Sequence, residues 1–207
     1  MTSWRQVPWT LRYVYGSRIA TSWRRFLIKL THLHADVRIS KPVRLGPGFA
    51  LDIPGPGTFS VGPGCDFRRG FKCEIVGDGK VSIGPGTIFT SYALLGCTTS
   101  ISIGSRCQLG QGTVIMDGNH RFRDYTKHMF EQGYDYRTIT IGDNVSVYGN
   151  CTIVADVGTG AVVATNSVVT RDVPPYCFVG GAPARIIEYF GPPDMRPAEL
   201  DAGTGGS

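Results

Sequence analysis

Residues 139–154 read ITIGDNVSVYGNCTIV, and within them Ile141, Val147 and Ile153 stand six residues apart. A six-residue apolar period matches neither a helix of 3.6 residues per turn nor the two-residue alternation of a half-buried strand. It matches a chain that turns a corner every six residues and sends one side chain from each side into a shared interior. The spacing returns at Val61, Phe67 and Cys73, at Ile103, Leu109 and Ile115, and at Val157, Val163 and Val169. Three hexads make a triangular coil of about 18 residues, and one coil cannot bury its own apolar face, so only a stack of coils is stable. The chain therefore reads as an all-β hexapeptide β-helix.

Glycine marks the corners. An aliphatic residue precedes glycine at Leu45-Gly46, Val61-Gly62, Ile83-Gly84, Ile103-Gly104, Leu109-Gly110, Ile141-Gly142 and Val157-Gly158, and five of these pairs open a Gly-x-Gly turn. Such a corner needs a residue that takes positive φ or lies close against its neighbour, and Pro47, Pro63 and Pro85 stiffen three of them. The phase slips by two residues between Cys73 and Ile83 and again between Ile153 and Val157, which tightened corners accommodate. A larger slip separates Ile115 from Ile141. The intervening segment, MDGNHRFRDYTKHMFEQGYDYRTIT, has no six-residue period, and most of it reads as a loop extruded from the wall, residues 116–138.

Residues 37–190 are expected to form the β-helix domain, residues 1–36 a separate N-terminal segment, and residues 191–207 a flexible tail with little to bury. With 28 glycines and only 18% charged residues in 207, the composition suits a repeat fold. No apolar run is long enough to span a bilayer and no signal-peptide pattern is present, so a cytoplasmic location is expected. The six cysteines lack the paired spacing of a zinc site or redox motif and read as small buried side chains.

The first 35 residues carry Arg5, Arg12, Arg18, Arg24, Arg25 and Lys29 with no carboxylate, against a net charge of +5 for the whole chain. Trp4, Trp9, Tyr13, Tyr15, Trp23, Phe26 and Leu27 interleave with these cations. Two compatible readings follow: a helix capping the open end of the β-helix, or a basic aromatic helix resting on the inner face of a membrane or on a lipid-linked glycan. The remaining chain has no basic stripe or motif for nucleic acid.

The segment from about Ile103 to Ile187, with MDGNH, ITIGDNVSVYGNCTIV and GTGAVVATNSVVTRDVPPYCFVGGAPARII, resembles the hexapeptide-repeat acyltransferases. Within them it is most like the O-acetyltransferases of maltose, galactoside, Nod-factor and colanic-acid type. The resemblance implies a left-handed parallel β-helix, a homotrimer with active sites between subunits, and acyl transfer from acetyl-CoA or another acyl-CoA, without a metal. His120 matches the catalytic loop histidine of that family. Independently, a sugar hydroxyl needs a base to take its proton as it attacks a thioester, and histidine suits that role near neutrality.

Asp117, Asn119 and Glu131 lie near His120 in sequence and could orient it, bind the acceptor or close a turn. By resemblance, Gly149 and Thr165 line the pantetheine arm of CoA, while Thr170, Arg171 and Arg185 lie near its nucleotide. The sequence departs from the family at Ser146-Val147-Tyr148, where Trp-Ile-Gly is usual, so Tyr148 or another residue must supply any aromatic wall beside the histidine. A carbohydrate hydroxyl is the expected acceptor. The alternatives are N-acylation of an amino sugar nucleotide and a non-catalytic β-helix subunit. A zinc-dependent carbonic anhydrase on the same fold would need three convergent histidines, which His32, His34, His120 and His128 do not suggest.

Overall fold

The computed structural model describes residues 16–198. Residues 1–15 and 199–207, including Arg5, Arg12 and most of the N-terminal aromatics, lie outside the described part.

The chain winds into a left-handed parallel β-helix with three walls. The first wall stacks Asp36–Ile39, Thr58–Val61, Lys80–Ile83, Ser100–Ile103 and Ile139–Ile141. The second runs from Val43–Leu45 through Cys65–Phe67, Ile88–Phe89, Gln108–Leu109, Ser146–Val147 and Val162–Val163 to Cys177–Gly181. The third stacks Ala50–Asp52, Lys72–Ile75, Leu94–Cys97, Val114–Met116, Thr152–Ile153 and Val168–Val169. Every pairing between coils is parallel, and the hexad side chains Phe67, Cys73, Leu109, Ile115, Val147, Ile153 and Val163 are fully buried.

The coils are not uniformly 18 residues long, as strict hexads would require. Asp36 pairs with Thr58 and Thr58 with Lys80, so the first coils advance 22 residues. Lys80 pairs with Ser100, an advance of 20, and the last coils, Ile141 to Val157 to Val173, advance 16. The prism tapers, and its contents explain why. Phe49, Phe67, Phe71 and Phe89 pack ring against ring in the wide coils, with centroids 4.6–5.3 Å apart. Narrow coils are filled by Val145, Cys151, Ala155, Ala161 and Val163. The perimeter follows the volume that must be filled, because a void forfeits contacts and an overfilled core strains rotamers.

The corner glycines divide into two roles, seen at Gly62-Pro63-Gly64. A Cβ on Gly62 would stand 2.7 Å from the Pro85 nitrogen of the next coil, whereas Gly64 has φ +80°. The first glycine admits the neighbouring backbone and the second turns the chain. All six cysteines are buried and free, in keeping with the small apolar role read from the sequence.

Both ends of the prism are covered. The helix Gly16–Thr31 lies against Val43–Leu45 at the N-terminal end: Ile28 enters the core, Thr21 bonds the Leu45 backbone, and Arg24 donates to the Leu45 carbonyl at 2.7 Å. His32 and His34 bond the Leu51 and Ile53 carbonyls. At the other end Ala184–Tyr189 folds back antiparallel on Cys177–Gly181, which pairs the exposed edge of the second wall. Beyond it, Tyr189 donates to the Pro192 carbonyl and Pro193–Met195 forms one 3-10 turn.

Candidate active site

The extruded segment is more ordered than a plain loop. Gly118–His120 and Tyr134–Tyr136 form an antiparallel pair in which His120 faces Tyr134 and Asn119 faces Asp135. The ladder is extended at one end by the Arg121 amide on the Gly133 carbonyl and at the other by the Arg137 amide on the Asp117 carbonyl. The hairpin leaves the corner between the third and first walls and returns to the same corner. There the Arg137 guanidinium donates to Asp172 at 2.8 Å and lies 3.6 Å from Asp156, so it ties the hairpin base to the next two coils.

His120 is half-buried on this hairpin. Its ring meets Tyr134 at a centroid distance of 4.2 Å and the edge of Phe130 at 5.5 Å. The Nδ1 atom is buried and has no hydrogen-bond partner among the described residues. The two aromatic rings fix the plane of the imidazole and enclose that nitrogen.

Asp117 does not orient this histidine. Its buried carboxylate accepts the amides of Thr98 and Thr99 and the Thr99 hydroxyl, at 2.6–3.0 Å, so it closes a corner of the preceding coil. Glu131 is exposed on the 3-10 turn Met129–Glu131 and makes no bond to His120. It lines a depression of about 430 Å³ on the hairpin with Arg121, Arg123 and Lys127, and His120 is not part of that lining. Asn119 is exposed. His128 caps the 3-10 turn by accepting the Phe130 amide at 3.4 Å.

The residues matched to the CoA site fall on the edges of the C-terminal coils. Gly149 and Thr165 occupy successive coils at the corner between the second and third walls, where the Asn166 amide donates to the Gly149 carbonyl. Thr170 and Arg171 lie at the far end of the third wall, directly before the Asp172 that Arg137 holds, and thus at the corner from which the His120 hairpin springs. Both are exposed, and the Arg171 guanidinium makes no hydrogen bond or ion pair among the described residues. Arg185 is exposed opposite Gly180 in the terminal hairpin and bonds only the neighbouring Ala184 carbonyl.

Tyr134 and Phe130, which sequence reasoning had not assigned to the site, supply the aromatic surroundings of His120. Tyr148 is exposed on the opposite corner of the third wall, and its backbone would meet a Cβ on Gly110. The available signal was the alternation Tyr134-Asp135-Tyr136 before the re-entry strand, which marks a short strand. Among the described residues, no three His, Cys, Asp or Glu side chains group as metal ligands.

No protein-family model matches the chain. It is 38% identical over 89 residues to YvoF of Bacillus subtilis, provisionally named an acetyltransferase, covering 42% of this chain and 46% of the relative. It is 35% identical over 103 residues to a chloramphenicol acetyltransferase of Agrobacterium fabrum, covering 41% and 49%. The chain thus spans about half the length of these curated relatives. Among solved structures, the hexapeptide-repeat acetyltransferase VCA0836 of Vibrio cholerae is 28% identical, covers 72% of this chain and 74% of its own, and superposes with a TM-score of 0.53. AntD of Bacillus cereus, an N-acyltransferase solved with dTDP and 3-hydroxybutyryl-CoA, shares the fold at 17% identity and a TM-score of 0.65, over 86% and 93% of the chains. The chain is similar in sequence and in fold to the hexapeptide-repeat acyltransferases.

Proposed function

We propose that this chain transfers an acetyl or short acyl group from acyl-CoA to a carbohydrate hydroxyl, with His120 as the general base. The single observation that carries this reading is His120 itself. It is fixed between Tyr134 and Phe130, has a buried and unengaged Nδ1, and springs from the corner that also bears the free guanidinium of Arg171.

Acyl-CoA supplies the activated thioester. The edges of the C-terminal coils fit such a molecule: Gly149 and Thr165 would flank its extended arm, and Thr170, Arg171 and Arg185 would meet its phosphates. Arg171 is ready for that role because no intrachain acid competes for it. His120 would take the proton of the attacking hydroxyl, raising its nucleophilicity at the moment of bond formation. Transfer is direct, with no acyl-cysteine: every thiol is buried, and burial pushes all six thiol pKa values up.

We further propose that the active unit is a homotrimer. Tyr134, Tyr136 and Phe130 present a largely exposed aromatic face around a base that has no orienting partner of its own. A neighbouring protomer would cover these exposed rings. An amino-sugar acceptor is the second reading, since AntD has also been solved with dTDP-4-amino-4,6-dideoxyglucose and CoA, and it keeps the same donor side.

The test is calorimetric titration of the purified protein with acetyl-CoA, octanoyl-CoA and free CoA, followed by acceptor screening with His120→Ala as control. Saturable thioester binding and His120-dependent turnover on a hydroxyl acceptor are expected. Turnover only on amines would select the second reading. A folded protein that binds no thioester would leave a non-catalytic β-helix.

A further inference from the structure

The helix Gly16–Thr31 sets one face against the β-helix and leaves an apolar face uncovered. Thr21, Arg24, Arg25 and Ile28 are spent on the prism: Ile28 is in the core, and both arginines donate to backbone carbonyls of the first coil. On the opposite face, Ile19, Trp23, Phe26 and Leu30 follow one another by three- and four-residue steps, Leu27 flanks them four residues past Trp23, and each is exposed, Ile19 by 73% and Trp23 by 61%. Steps of that size align side chains along a single stripe. Trp23 and Phe26 stack along it at 5.8 Å. The helix contains four cations and no carboxylate.

Beside this stripe runs a groove of about 910 Å³ between the helix and the second wall, into which Arg18, Arg25, Lys41 and Arg44 converge. Its one acid, Asp66, is already paired with Arg44 at 3.3 Å and Arg68 at 3.7 Å. Arg18 and Lys41 have no partner among the described residues, and the Nε of Arg25 is buried without one. An apolar stripe alone would not identify its occupant. A stripe bordered by a cationic groove with unspent donors does, because it asks for a surface that is apolar within and anionic at its edge.

We propose that this helix docks the protein on an anionic phospholipid bilayer, lying in the plane of the interface with the Ile19–Leu30 stripe at the acyl boundary and headgroup phosphates in the Arg18–Lys41 groove. No described helix is long and apolar enough to cross a membrane, so the contact is peripheral. Self-association through the same face is disfavoured by charge, since it would bring two acid-free cationic helices together. The inference does not depend on the acyl-transfer reading.

The test is flotation of the full chain with phosphatidylcholine vesicles, with and without one-third phosphatidylglycerol, and with mass in solution measured in parallel. Binding to the anionic vesicles at least about tenfold above neutral ones, weakened by salt, is expected. Phe26→Ser/Leu30→Ser and, separately, Arg18→Gln/Lys41→Gln should each cut that binding by about tenfold or more while circular dichroism, melting temperature and mass stay unchanged. These side chains are exposed or unpartnered, so the variants fold. Absence of binding to anionic vesicles overturns the proposal, as does equal binding to both vesicle types. A change of mass in Phe26→Ser/Leu30→Ser also overturns it, since the face would then be a contact between copies.

Discussion

His120 and Tyr134 face each other across the antiparallel pair of the extruded hairpin, their rings 4.2 Å apart and inclined at 39°. The tyrosine sets the plane of the imidazole without bonding to it, so it acts as a positioning residue for the proposed base. Tyr134→Ala should lower kcat by roughly three- to tenfold, the worth of one aromatic pair, with KM for acyl-CoA unchanged. Tyr134→Phe, which keeps the ring, should restore the rate. His120→Ala should cost about 10²- to 10⁴-fold. Steady-state kinetics of the three variants checks this, and equal losses in the Ala and Phe variants would contradict a positioning role.

The stack of Phe49, Phe67, Phe71 and Phe89 fills the wide coils, and Phe67, Phe71 and Phe89 have no exposure to solvent. Removing one ring leaves a cavity that the two turns of β-helix around it cannot collapse. Phe67→Ala should destabilise the protein by about 3–5 kcal/mol, whereas Phe122→Ala, on an exposed hairpin ring, should change stability little. Chemical denaturation compares the two.

At Gly62 the β-carbon of alanine would be driven against the Pro85 backbone, which is part of the next coil and cannot rotate away. Gly62→Ala should therefore lower the melting temperature, despite the entropy that alanine removes from the unfolded chain. Gly77→Ala probes the other penalty: φ is +64° there and nothing lies within 4 Å, so only backbone strain is felt, about 1–2 kcal/mol. A rise in melting temperature for Gly62→Ala would show that the coils can spread.

The Cys97 thiol is pushed up to about 12, first by burial and then by the neighbouring Asp117 carboxylate. A thiol held protonated does not attack disulfide reagents. With all six thiols buried, Ellman's reagent at pH 8 should titrate fewer than about one of them per folded chain and all of them in guanidinium. Rapid reaction of Cys97 in the native protein would place the Asp117 corner in solution.

Asp172 accepts the Asp156 amide and the Arg137 guanidinium, and these contacts hold its carboxyl below the usual carboxylate value, the amide contributing most. A depressed pKa stabilises the fold above the unfolded carboxyl pKa and loses that contribution as pH falls through the folded one. Asp172→Asn should melt below the wild type at pH 7, by less than about 1 kcal/mol because the pair is exposed, and the gap should close on acidification below pH 4. Melting curves across pH would read the closure.

The coil was legible along the chain before any tertiary contact is considered. A buried position every sixth residue and glycine at many corners are local facts, because a corner requires a small or positive-φ residue wherever the chain runs; Asn144, Asn150 and Asn166 take positive φ at others. The position of the extruded segment was legible for the same reason, as a break in that period, and the motif around His120 singled it out as the proposed base. Other features depend on residues from different coils, and no spacing along the chain encodes which of them meet. The taper from 22 to 16 residues per coil was set by how phenylalanines from three coils interlock. Asp117 was taken by the Thr98–Thr99 amides of the previous coil rather than by the histidine three residues away. Tyr134, fourteen residues past His120, became its neighbour only through the hairpin register. The composition of the N-terminal segment likewise gave both a cap and a surface helix. Tertiary packing divided those roles between its two faces, because burying Ile28 against the first coil turns Trp23 and Phe26 outward.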